Sequence, residues 1–140
     1  MPNPNLASVG AGGAAGSRSC EDVINDHLRL REEGKLEEDI RRNYHEDVVV
    51  LTPSACYRNH DGLRECASLL YDAIKDASEY RYNAVRCDDR MALLEWSASS
   101  DGMEIGDGVD SFMVEDGKIC AQTIRYTVTF RDLSQAHSVR

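Results

Sequence analysis

Two titratable side chains in this sequence share a face with apolar neighbours. Asp110, in the run Gly108-Val109-Asp110-Ser111-Phe112-Met113-Val114, has the same strand parity as Phe112 and Val114. His27 falls at helical spacing with Val23, Ile24 and Leu30. Burying an ionised carboxylate is costly unless it is paired, so Asp110 is neutral, hydrogen-bonded or functional. An imidazole titrates near neutrality, and on an apolar stripe it is either a satisfied core residue or an acid-base group. If the two converge on one cavity, they could move a proton on a small, fairly apolar substrate without a cofactor. Tyr44, Trp96, Gln122 and Tyr126 are the expected further walls: Gln122 and Tyr126 share a strand face, and Trp96 shares one with Leu94 and Ala98. Asp110 also has a bland reading, a buried carboxyl satisfied by a neighbouring Tyr or Arg.

Other chemistries find little support. His45 and His60 fall in expected loops without a companion at metal-ligand spacing, so no metal is expected. Gly106-Asp107-Gly108 is no dinucleotide loop, because a strand rather than a helix follows it. Five cysteines at wide, irregular intervals contain no Cys-x-x-Cys and read as small core residues in a reducing cytosol. The formal charge of -9 and a pI near 4.8 argue against nucleic acid and anionic membrane as partners. No stretch is long and apolar enough to span a bilayer.

The elements that must position these groups can be read from periodicity. Ser19-Cys20-Glu21-Asp22 opens a helix that Gly34 stops. A second, shorter helix carries Leu36, Ile40 and Tyr44 at four-residue steps, with Glu37, Glu38, Asp39, Arg41 and Arg42 as its solvated face. Val48-Val49-Val50-Leu51 reads as a strand covered on both sides, and Cys56-Tyr57-Arg58 as a short edge strand. Asn59 or Asp61 caps a third helix with the stripe Leu63, Cys66, Ala67, Leu70, Ala73 and Ile74. The period then changes to two, and 80–87, 91–100, 105–115 and 118–131 are four strands separated by Asp- and Gly-rich turns. In the last, Cys120, Gln122, Ile124, Tyr126, Val128 and Phe130 form the inner face. Thr123, Arg125, Thr127, Thr129 and Arg131 form an outer face suited to a homodimer.

Helices first and a meander after make an α+β domain over residues 19–133, between a disordered tail at 1–18 and a frayed end at 134–140. The N-terminal tail lacks a basic region and a leucine-rich core, so it makes a poor signal peptide.

Three segments carry a likeness to a known family: 42–53 (Arg-Asn-Tyr-His-Glu-Asp-Val-Val-Val-Leu-Thr-Pro), 57–64 (Tyr-Arg-Asn-His-Asp-Gly-Leu-Arg) and 110–119 (Asp-Ser-Phe-Met-Val-Glu-Asp-Gly-Lys-Ile). With the element order, they resemble the nuclear transport factor 2-like (SnoaL-like) superfamily. The resemblance implies a cone-shaped half-barrel, a curved and mostly antiparallel sheet wrapped around about three N-terminal helices. The superfamily spans isomerases, cyclases, dehydratases, epoxide hydrolases and binding domains, so the fold does not name a reaction. Set beside ketosteroid isomerases, Asp110 matches an oxyanion-hole aspartic acid kept neutral by its surroundings, and His27 falls near the tyrosine that completes that hole. Thr52, a further pocket wall by this resemblance, stands where their general-base aspartate does. Threonine cannot serve as a carboxylate base.

Two readings follow. In one the protein is a cofactor-free isomerase, cyclase or dehydratase that uses Asp110 and His27. In the other it is a cytoplasmic ligand-binding or protein-interaction module of the same fold with no chemistry, and the loss of a base at Thr52 favours it.

Overall fold

The computed structural model of the protein describes residues 18–131, so both expected tails lie outside the described residues except for Arg18. Helix α1 (Cys20–Glu32) begins with a capping box: the Asp22 amide donates to the Ser19 hydroxyl at 3.0 Å, and the Ser19 amide donates back to the Asp22 carboxyl at 3.2 Å. Beyond its end Gly34 takes the left-handed φ of +74° that lets the chain turn. Helix α2 (Leu36–Asn43) is one step shorter than its periodicity suggests. Tyr44 is extended and opens strand β1 (Tyr44–Leu51), because pairing with Ile119 and the β-branched run behind it favour the strand.

Val48 and Val50 are fully buried, whereas Leu51 on the opposite face is 48% exposed. The strand is therefore covered on one side only, contrary to its continuous apolar run, because all three helices lie on one face of the sheet. Strand β2 (Cys56–Arg58) pairs antiparallel at its edge. Helix α3 (Asn59–Ile74) starts at Asn59, whose φ of +62° and side-chain oxygen, accepting from the Asp61 and Gly62 amides, make it the cap.

Strands β3 (Glu79–Cys87), β4 (Met91–Ser99), β5 (Met103–Glu115) and β6 (Lys118–Arg125) follow as a meander. The sheet order is β2-β1-β6-β5-β4-β3, antiparallel throughout except for the parallel pair β1–β6. The expected strand at 118–131 is broken. It ends at Arg125, the Thr127 amide donates to Asp107 at 2.8 Å, and a short β7 (Thr129–Phe130) returns to the start of β5. The cause lies across the ladder, where the β4–β5 register slips opposite Gly106-Asp107-Gly108. As a result Tyr126 and Val128 are only half-buried, and Phe130 is exposed rather than on an inner face.

The concave face of the sheet and the helices enclose one apolar cluster that includes Ile24, Ile40, Val48, Val50, Leu94, Ile105 and Ile119. Each fully buried aliphatic side chain there contributes about 1.5–3 kcal/mol. Gly108 sits directly opposite Trp96 in the β4–β5 register, and a Cβ at Gly108 would overlap the indole ring. The absent side chain lets the indole lie across the strand and reach Asp110, two residues on.

Candidate functional site

The sheet supplies one cluster of buried polar groups. Asp110 on β5 stands opposite Leu94 on β4 and Ile124 on β6, facing the helices. The Trp96 indole N–H donates to its Oδ1 at 3.0 Å, and the Gln122 Nε2 donates to its Oδ2 at 3.1 Å. The Tyr44 hydroxyl in turn donates to Gln122 Oε1 at 2.6 Å. Burial raises the Asp110 carboxyl above its ordinary value, against the opposing pull of Trp96, His27 and Gln122. Burial also holds the Tyr44 phenol well above its usual range, so it stays a donor.

The helices supply a second cluster. His27 Nδ1 lies 2.8 Å from Asp39 Oδ2, and Asp39 is fully buried. Asn43 Nδ2 donates to Asp39 Oδ1 at 2.8 Å and to Asp26 Oδ2 at 3.0 Å, while its oxygen accepts from Arg18 at 2.8 Å. With a carboxyl oxygen as partner, Nδ1 of the neutral imidazole carries the hydrogen and Nε2 keeps its lone pair. Among the described residues Nε2 has no hydrogen-bond partner. The ring is held edge-on against Tyr44 and Phe112, with centroids 5.7 and 5.5 Å away.

A cavity of about 50 Å³ lies between the clusters, lined by His27, Tyr44, Asp110 and Gln122 among others. A water needs ~10–15 Å³ on such a measure, so the cavity has room for a few waters or one functional group, not for a whole ligand. Next to it is an outer cleft of about 670 Å³, and Arg31, Ala67, Leu70, Tyr80 and Tyr82 line both. The cleft is within the usual size range for small-molecule sites. Burial pushes the Tyr82 phenol up to about 12, and Tyr80 is raised by the same cause, so both are neutral donors near pH 7. Burial likewise pushes the Cys66 thiol on the inner wall up to about 11, which removes it as a nucleophile.

No family profile matches the chain, and no curated protein matches it in sequence. Solved structures do match. A nuclear transport factor 2-like protein of unknown function from Burkholderia xenovorans LB400 superposes with a TM-score of 0.62 at 14% identity, covering 84% of this chain and 90% of that one. A putative polyketide cyclase from Sinorhizobium meliloti gives 0.60 at 18% identity, over 74% and 93%. A steroid delta-isomerase from Pseudomonas aeruginosa gives 0.60 at 19% identity, over 97% and 86%. The chain has the nuclear transport factor 2-like fold. At these identities the likeness is one of architecture.

Within this nuclear transport factor 2-like cone, His27, Tyr44, Asp110 and Gln122 come together on the cavity, while three other expected wall residues stand elsewhere. Thr52 closes the turn after β1, its hydroxyl accepting from the Ser54 and Ala55 amides, and is not part of the lining. Trp96 lies behind the wall, stacked on Tyr80 at 5.5 Å, and reaches the site only through its bond to Asp110. Tyr126 packs against the far side of Trp96, also at 5.5 Å. Asp39, expected on a solvated face, is instead the partner of His27. Helix α2 is buried between α1 and the sheet over a wider arc than Leu36 and Ile40 mark. The available signal was Asp39 and Asn43 at i,i+4, two polar groups stacked on one side. Arg31, four residues beyond His27 on α1, was also missed.

Proposed function

We propose that the protein binds a small, fairly apolar molecule in the outer cleft and moves a proton on the group that enters the inner cavity, without a cofactor. The carrying observation is His27 on the cavity wall, with Nδ1 tied to buried Asp39 and Nε2 without a hydrogen-bond partner among the described residues. Nε2 takes a proton from an acidic carbon, and the Asp39 carboxylate stabilises the imidazolium that forms, as the third member of a triad does for its histidine. Asp110, whose neutral form burial favours, offers a proton to the oxygen where charge develops. His27 thus replaces the base that Thr52 cannot provide. Isomerisation, cyclisation and dehydration all need such a transfer, and the cyclase and isomerase named above share this fold.

The test is solvent-deuterium exchange at the carbon next to the carbonyl of 2-tetralone, followed by NMR in deuterated buffer. The native protein should accelerate exchange, and His27→Gln should return it to the background rate while retaining the native circular dichroism spectrum. Exchange that survives His27→Gln, or no acceleration at all, contradicts the catalytic reading. The second outcome leaves a binding module without chemistry. That alternative is favoured by Asp110, both of whose oxygens already accept hydrogen bonds.

We further propose a homodimer through the outer face of the sheet, in a reducing cytoplasm and with no nucleic-acid partner. Cross-strand pairing puts Leu93, Ser111 and Thr123 in one row of that face, with Met91 and Met113 in the next. Met91 is 59% exposed and Leu93 41%, and the Ser111 and Thr123 hydroxyls bond to each other across the strands. Arg86 extends the first row, and Glu95 and Arg125 stand on either side of Val109 in the adjoining one, so the face is partly apolar with charges of both signs, which suits a second copy. Sedimentation at micromolar concentration should give twice 15.6 kDa; a species at that mass alone contradicts the dimer.

A further inference from the structure

We propose that Arg31 is the anchor for a carboxylate, so that the cleft takes small apolar monoacids rather than neutral molecules. The proposal rests on the reading of the cleft as a ligand site. Arg31 lines both the inner cavity and the outer cleft, with its side chain 25% exposed. Among the described residues it makes no hydrogen bond, and its nearest charged partner, Asp39 Oδ2, is 3.7 Å away. Arg41 and Arg58 also make no side-chain hydrogen bond, but both are exposed, whereas the other arginines packed on the helices are engaged. Arg18 donates three hydrogen bonds, and Arg29, Arg42 and Arg64 each donate at least two.

A half-buried arginine side chain whose guanidinium makes no hydrogen bond among the described residues keeps its donors open to a ligand. Its planar fork matches the two oxygens of a carboxylate better than a single carbonyl. Asp39 does not fill that role, because His27 and Asn43 already hold its oxygens. The rest of the cleft suits the rest of such a molecule, with Leu36, Leu70 and Ile74 beside Tyr71. Glu32 on the same wall disfavours a second negative charge. Positions four apart on a helix stand about 6 Å apart along its axis, so a carboxylate on Arg31 leaves a carbon a few bonds away near His27.

The experiment compares 2-naphthoate with 2-naphthamide, which share a shape and differ in charge, by calorimetric titration of the full-length protein. Native protein should bind the acid at least about tenfold more tightly, a difference of ~1.4 kcal/mol. Arg31→Met, which keeps the apolar stem, should abolish the preference by weakening the acid much more than the amide. Arg31→Lys, which keeps the charge beside Asp39 and loses the fork, should retain only part of it and serves if the Met variant does not fold. Equal affinity for the two probes in native protein, or a preference that survives both substitutions, overturns the assignment and leaves the His27 reading intact. Failure of both probes to bind overturns the cleft as a ligand site, and the Arg31 proposal with it.

Discussion

The two buried polar clusters differ in what they leave undone. On the sheet, Tyr44, Gln122, Asp110 and Trp96 form a closed chain in which both Asp110 oxygens and both ends of the Gln122 amide are engaged. On the helices, Asp39 and Asn43 are equally well satisfied, yet they hold up two groups that are less so: His27, with Nε2 unpartnered among the described residues, and Arg31, whose guanidinium has only a 3.7 Å ion pair to Asp39 and no hydrogen bond among those residues. A closed network stiffens a wall and specifies a packing. An open one presents donors and acceptors for something else to use. The asymmetry favours α1 as the source of the proposed base, with Asp110 presented from a rigid wall of the sheet.

The two clusters differ most in their dependence on a single residue, Asp39. Asp39→Ala deprives His27 and Asn43 of a buried partner at once, and urea denaturation should show a loss of about 2–4 kcal/mol, the scale for leaving two buried donors unpaired. A loss comparable to that of an exposed residue would mean that the helix cluster is not a coupled unit. On the sheet side, Gly108→Ala pushes a methyl group into the Trp96 ring and should cost about 1–3 kcal/mol by overpacking. The same variant should change tryptophan fluorescence, since the indole must leave Asp110; an unaltered spectrum would contradict the packing described. Tyr44→Phe leaves Gln122 Oε1 without its donor and should cost about 1–2 kcal/mol.

The smallest effect carries a sign. Burial raises the Asp110 carboxyl, so the folded chain holds that proton to higher pH than the unfolded chain does. The resulting stabilisation is complete below the ordinary carboxyl range and is lost as pH rises through the raised value. Asp110→Asn does not titrate, so its stability deficit against the native chain should shrink from about pH 4 to about pH 8. A deficit that widens over that range would show that the carboxyl is stabilised as an anion, contrary to its burial.

Much of the scaffold was legible because local rules and packing agree. The Ser19–Asp22 box, the Asn59 cap, the Asp116-Gly117 turn and the inward parity of Asp110 each follow from a few neighbouring residues. The rest depends on long-range geometry. Asp39 looks like a surface acid until α2 is seen to be wedged between α1 and the sheet. Tyr44 fits a helical step until β6 draws it into a strand. The break after Arg125 answers a slipped register on β5, which no local pattern in β6 records. Arg31 reads as an ordinary helix-end cation, and only its place on the walls of both the cavity and the cleft singles it out.

The account turns on the tautomer of His27, which long-range nitrogen-proton NMR of the imidazole reads directly. In the neutral ring Nδ1 should be protonated and Nε2 bare, and binding of 2-naphthoate should shift the Nε2 resonance. A ring protonated on Nε2, or one whose Nε2 ignores ligand in the cleft, would contradict an oriented base facing the cavity.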